Sequence, residues 1–92
     1  MTEYKWLDHT ALSGYAEGVI DHRLWAHKDG KRDTGSTARV RKEDRDSMWE
    51  VHIIRSPDGP YPSAPQLTLP GDLTLEEVQA IAYMNAQAEG VL

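Results

Sequence analysis

The sequence predicts an α+β fold, an antiparallel three- to four-stranded meander with a C-terminal helix packed on one face. Three observations predict it. Thr74-Leu75-Glu76-Glu77 is a capping box at the head of a segment free of proline, the threonine hydroxyl accepting from the Glu77 amide while the glutamate reaches back. Lys28-Asp29-Gly30-Lys31 is a hairpin signal, because Asp-Gly suits the positive φ values of a type I′ turn. Residues 37–42 and 48–55 both alternate apolar with polar side chains on either side of a charged turn, the pattern of two strands with one covered face.

Residues 1–14 read as an N-terminal arm. Tyr4, Trp6, Leu7 and Leu12 offer anchors, but Asp8-His9-Thr10 and Ser13-Gly14 interrupt any period, so the arm is expected to pack through Trp6 with at most a short helical turn. Residues 15–55 form the meander. Within it, residues 15–27 fit strand or helix. A helix lines up Ala16, Ile20, Leu24 and His27, yet Gly18 costs it about 1 kcal/mol relative to alanine, and the hairpin that follows favours strand. If Glu43-Asp44-Arg45-Asp46 is a four-residue loop, Val40 faces Trp49 and Ala38 faces Val51 on one side of the sheet. On the other side Arg39 then faces Glu50, and Thr37 faces His52.

Residues 56–72 are a proline-rich connector holding all five prolines. Tyr61-Pro62 and Ala64-Pro65 favour extended backbone, and Gln66-Leu67-Thr68-Leu69 is a short edge strand. Residues 74–89 are the helix, stapled by Leu73 against Val78 and stopped by Gly90. At about 100° per residue, Leu75, Val78, Ile81, Ala82 and Met84 share one apolar arc with Asn85 inside it. Glu76, Gln79, Tyr83 and Gln87 are expected to face outward.

Ninety-two residues make one domain whose core is thin: 39% hydrophobic, no Phe, three Trp and four Tyr. Such a core is marginal, and a homodimer that buries more apolar surface is expected. The absence of cysteine excludes disulfides and thiolate chemistry. No run approaches the roughly 18 apolar residues of a membrane span, and the start carries no signal-peptide pattern. The expectation is a cytoplasmic protein without membrane contact.

Charge is unevenly spread within the net −5. Residues 23–45 hold eight bases against four acids, +4; the remainder holds two bases against eleven acids, −9. A basic middle in an acidic frame suits phosphates, an acidic partner, or the chain's own carboxylates. His9, His22 and His27, with Asp8 and Asp21, supply metal-ligand chemistry, but their spacing matches no metal-site pattern, so neither metal nor cofactor is expected. His52 beside Glu50, joined by His22 if the first hairpin brings them together, is the best acid–base arrangement. With no nucleophile elbow and no phosphate-cradling glycine loop, a non-catalytic protein is favoured over an enzyme.

From Ser36 the order is three short strands and a helix. Ala38-Arg39-Val40-Arg41-Lys42, followed by Trp49-Glu50-Val51-His52-Ile53-Ile54-Arg55-Ser56-Pro57-Asp58-Gly59, resembles the AP2-like DNA-binding modules of phage integrases. That resemblance implies a sheet inserted in the major groove, with Arg39, Arg41 and His52 reading bases and Lys31 and Arg32 on the phosphates. The segment after Asp58-Gly59 is uncharged here, and residues 36–85 hold five bases against eight acids. Phosphate contacts dominate DNA affinity, so DNA binding stands second. The ending Leu73-Thr74-Leu75-Glu76-Glu77-Val78-Gln79-Ala80-Ile81-Ala82, after a Trp-containing sheet, resembles small uncharacterised proteins of actinobacteria and their phages. It implies an accessory protein that binds and modulates a cellular target. The sequence reading is therefore a protein-interaction module. Its surface is Arg39, Arg41, Glu50, His52, Ile54 and Tyr61 on the sheet face away from the helix, with Trp25 adding area.

Overall fold

The computed structural model describes residues 2–10, 19–55 and 64–92, and of residues 32–35 the backbone alone. Six elements follow in chain order: β1 (Thr2–Asp8), β2 (Ile20–Lys28), β3 (Lys31–Lys42), β4 (Trp49–Ile53), β5 (Leu67–Leu69) and α1 (Leu75–Ala88). Each strand pairs antiparallel with the next in a single meander sheet, and α1 packs across one face of it. The expected α+β architecture is present, with one more strand at its front.

That extra strand corrects the reading of an N-terminal arm. Thr2–Asp8 pairs with β2 over seven successive positions, from Thr2 opposite Lys28 to Asp8 opposite His22. Tyr4 and Trp6 point to the helix side and pack on the core, while Glu3 and Lys5 fall between them. At a sheet edge both faces stay partly wet, so neither set is wholly apolar and the period of two is faint in the sequence. The ambiguity over residues 15–27 resolves as strand from Ile20 onward, in β2, while residues 15–18 lie outside the described residues, and the β2–β3 turn has the expected geometry. Asp29 and Gly30 sit at φ 55° and 80°, the left-handed values that favour glycine at the second position.

Two register facts decide which side chains meet. Between β2 and β3 the pairing starts at Lys28 opposite Lys31, then shifts on either side of Trp25, and reaches Leu24 opposite Ala38 and Asp21 opposite Arg41. Between β3 and β4, Val40 faces Val51, Arg39 faces His52 and Arg41 faces Glu50. The pairs expected from a four-residue turn (Val40 with Trp49, Arg39 with Glu50) are displaced by two residues. The reason is the loop, which runs from Glu43 to Met48 between the two strands. Asp44 organises it: its carboxylate accepts from the Asp46 amide at 2.8 Å and its carbonyl from the Ser47 amide at 3.2 Å. Because a two-residue shift preserves the side on which each residue points, the faces are as expected and only the partners change.

Leu24, Ala38, Val40, Trp49, Val51 and Ile53 line the helix side of the sheet and meet Val78, Ala82 and Ala86 of α1. Three small or β-branched residues at i, i+4 and i+8 let the helix lie close to the strands. The centre of the buried stripe is accordingly Val78-Ala82-Ala86, which rotates the expected arc. Met84 is 67% exposed, whereas Tyr83 turns inward and meets Tyr4 edge-on at 6.4 Å. Asn85 donates to the Ile81 carbonyl at 3.1 Å, satisfying its amide within the helix. The capping box forms at both of its hydrogen bonds. Ahead of it, the Trp49 indole donates to the Leu73 carbonyl at 3.0 Å. Buried Lys42 donates to the Gly71 carbonyl at 2.6 Å and lies 5.4 Å from the Trp49 ring centre, so its charge is met by a carbonyl and a π face. At Gly71 a side chain would stand 2.3 Å from the Ser47 carbonyl oxygen; the close approach of these two loops requires glycine.

Candidate functional site

The face of the sheet turned away from α1 is ionic, and its centre is Asp21. Strand β2 carries Asp21 and Arg23 two residues apart, hence on one side, and β3 carries Arg39 and Arg41 likewise. Arg23 lies directly opposite Arg39, a like-charge pair that would repel by itself. Asp21 resolves it. Its carboxylate accepts two hydrogen bonds from Arg39, Nε to Oδ1 at 3.0 Å and Nη2 to Oδ2 at 2.7 Å. Arg23 Nη2 stands 3.6 Å from the same Oδ2. The fork of a guanidinium matches both carboxylate oxygens, which fixes orientation as well as charge.

Asp21 is fully buried, and burial alone would push its carboxyl up. The Arg39 hydrogen bonds and charge, with Arg23 behind them, more than offset this and hold it below the ordinary carboxylate value. Its backbone is tied too. The Asp21 amide donates to Thr10 Oγ1 at 2.9 Å, and the His9 amide donates to the Asp21 carbonyl at 2.8 Å. Residues 9 and 10 thereby continue the β1–β2 pairing. The Trp25 indole donates to His9 Nε2 at 2.9 Å with the two rings stacked at 5.7 Å, so His9 carries its proton on the other ring nitrogen.

A second cluster adjoins the first on β3 and β4. Arg41 Nη1 lies 3.3 Å from Glu43 and 3.6 Å from Glu50, and Glu50 lies 3.6 Å from His52 Nε2. His52 is held below its ordinary value chiefly by burial and secondly by the Arg39 charge, against the pull of Glu50. Burial and the Arg39 charge both favour its neutral form, and 7% of its surface is exposed.

These positions sort the expected site residues. Arg39, Arg41, Glu50 and His52 do share the face opposite the helix. Arg39 and Arg41 keep about a fifth of their side-chain surface and Glu50 about a quarter. His52, Ile54 and Trp25 are buried, which corrects the expectation that they supply contact area. Ile54 continues the β3–β4 pairing, its amide donating to the Thr37 carbonyl at 2.9 Å. Tyr61 lies outside the described residues, as does the side chain of Arg32; Lys31 is exposed at the hairpin. His22 does not join His52. It packs on the helix side, with Nδ1 3.5 Å from the Gln79 amide nitrogen and Nε2 3.8 Å from Asp8. Among the described residues, no three histidines or carboxylates are placed to hold a metal ion. None of the described helices is long and apolar enough to cross a membrane.

Asp21, Arg23, His9 and Thr10 are the members that sequence reasoning did not assemble. Asp21 and His22 stood out only as adjacent ligand types. Extending the Asp29-Gly30 hairpin without irregularity would set Asp21 opposite Ala38; the register shifts around Trp25 bring it beside the arginines instead. Chemically, the array is a set of fixed charges. A buried, ionised aspartate with both oxygens bonded is an acceptor and not a proton donor, and a buried imidazole has little surface to offer a substrate. Comparison with family models, curated proteins and solved structures finds no match.

Proposed function

We propose that this protein is a non-catalytic interaction module that docks a protein partner on the ionic face of its sheet. One observation carries the reading: the charges of that face are held in opposite-charge pairs, Arg39 and Arg23 on Asp21 and Arg41 between Glu43 and Glu50, on neighbouring strands of one sheet. Charges held in fixed positions set orientation and association rate without paying to order flexible side chains. The partner's footprint covers the accessible end of the array, Arg41 with Glu43 and Glu50, where both signs alternate. A partner with alternating acidic and basic groups fits it.

DNA is the weaker reading, because Arg39 and Arg41 already face carboxylates and a phosphate would have to displace them. The test uses Arg41→Glu and Glu50→Lys, since reversing Arg39 would strand Asp21 and report on folding alone. Affinity purification from the native cell with wild type and each variant should lose the same partner in both variants. Retention of every partner by both would overturn the reading. A steep loss of duplex-DNA affinity between low and physiological salt would replace it with the nucleic-acid one.

A further inference from the structure

The two edges of the sheet differ. β5 is three residues long and lies between Pro65 and Pro70, so its free edge is short and flanked by residues without an N–H, the usual protection against strand addition. β1 is seven residues long with neither proline nor glycine. Its register with β2 runs unbroken, and among the described residues it has a strand neighbour on one side only. Tyr4 and Trp6 on its helix side are only half-buried. A straight, regular edge with unfinished apolar cover is a template for another strand.

Charged side chains on an edge ordinarily block such pairing. Here they alternate. Glu3 and Lys5 point to the same side, 3.7 Å apart, and both are more than half exposed. Antiparallel pairing of β1 with a second β1 about Tyr4 sets Tyr4 opposite Tyr4, Glu3 opposite the partner's Lys5, and Lys5 opposite the partner's Glu3. Centring on Lys5 sets lysine against lysine. Centring on Trp6 leaves Lys5 against Leu7 with no ion pair. Shifts by one residue put the apolar side of one sheet against the ionic side of the other. One register therefore matches both apolar contact and charge.

We infer that β1 is the site of self-association, pairing antiparallel about Tyr4 with β1 of a second copy to form a continuous ten-stranded sheet with both helices on one side. The interface is isologous, the same patch on each copy. Tyr4, already against Tyr83, meets its counterpart at the two-fold axis, so the apolar layer runs from one helix to the other. This inference stands apart from the ionic-face reading and survives its failure.

The test is sedimentation velocity of the full chain over a concentration series. Wild type should be a dimer. Glu3→Lys and Lys5→Glu each convert two attractive cross-strand pairs into two repulsive ones, and each should weaken dimerisation by about tenfold or more. The double variant, Glu3→Lys with Lys5→Glu, restores both pairs and should dimerise as wild type does. Mixing the two single variants should give a heterodimer, because one then presents two lysines and the other two glutamates. A wild type that stays monomeric throughout overturns the inference. So does a dimer indifferent to the single reversals, or a double variant that is not rescued. The rescue also separates a lost interface from a lost fold.

Discussion

The two faces of this sheet are held by different physics. On the helix side Leu24, Val40, Trp49 and Val51 meet Val78, Ala82 and Ala86, and the contacts are non-directional. Apart from the Trp49 indole, which donates to the Leu73 carbonyl, apolar residues of similar volume would serve there. On the other side Asp21, Arg23 and Arg39 are also largely removed from water, but each charge depends on a particular partner in a particular orientation. Apolar burial supplies most of the folding free energy. Buried ion pairs supply little net stability, because desolvation consumes much of the attraction, yet removing one member is costly. The comparison teaches that the helix face makes the fold and the ionic face makes its surface specific.

The largest expected effect is on the helix side. Trp49→Ala removes the biggest buried side chain of β4, together with its bond to the Leu73 carbonyl, and should cost about 3–5 kcal/mol in urea unfolding. In a domain of this size that approaches total stability. If the variant unfolds near the wild-type midpoint, the apolar side is not what holds the molecule together.

Asp21→Asn comes next. Breaking a wholly buried pair from one side costs about 3–5 kcal/mol, but Arg39 and Arg23 keep about a fifth of their side-chain surface. Solvent screens the stranded guanidinium groups, and about 2–3 kcal/mol is expected. Adding Arg39→Met should recover part of the loss, since the pair is then removed and not merely broken. The same group predicts a pH response. Asp21 titrates below its ordinary 3.8 in the folded chain, so the unfolded state binds the proton first as pH falls. Stability from this group is full above about pH 4 and lost below it. His52 is also depressed, from 6.5. Its contribution is full above that value and declines as pH falls towards the folded-state pKa, the same sign in a higher window. Wild type should lose stability in two stages on acidification, and His52→Gln should remove the upper one.

How much of this was legible in the sequence follows from how local each signal is. Thr74, Glu77, Asp29 and Gly30 act within a few residues, so the helix start and the hairpin were readable, and the alternation of residues 37–42 and 48–55 gave the two faces. The partners across the sheet were not readable. They depend on a six-residue loop ordered by Asp44 and on irregular pairing around Trp25, neither of which leaves a pattern. β1 was obscured because an edge strand need not be apolar on either side. Asp21 was obscured because Arg39, which bonds both of its oxygens, sits 18 residues away in the chain, on a strand whose register with β2 the turn alone does not fix.

The smallest expected effect isolates burial from chemistry. Arg55 donates to Glu89, a carboxylate–guanidinium pair like that of Arg39 with Asp21, but Arg55 is 57% exposed and Glu89 31% exposed. Gln66 donates to the other Glu89 oxygen at 3.3 Å. An exposed pair of this kind contributes about 0.5 kcal/mol or less. Glu89 also caps the C-terminal end of α1, whose last turn holds no basic residue. A negative charge there opposes the helix dipole by about 0.3–1 kcal/mol. Glu89→Gln removes the attraction and the opposition together, so the urea midpoint should correspond to a change within about 0.5 kcal/mol. The measurement is most telling beside Asp21→Asn, because both changes remove one carboxylate charge from an arginine while keeping the side chain's shape. Equal losses would mean that ion pairs stabilise this chain wherever they lie, and the distinction between its faces would rest on nothing electrostatic. A difference of about 2 kcal/mol between them would assign the cost to water exclusion at Asp21.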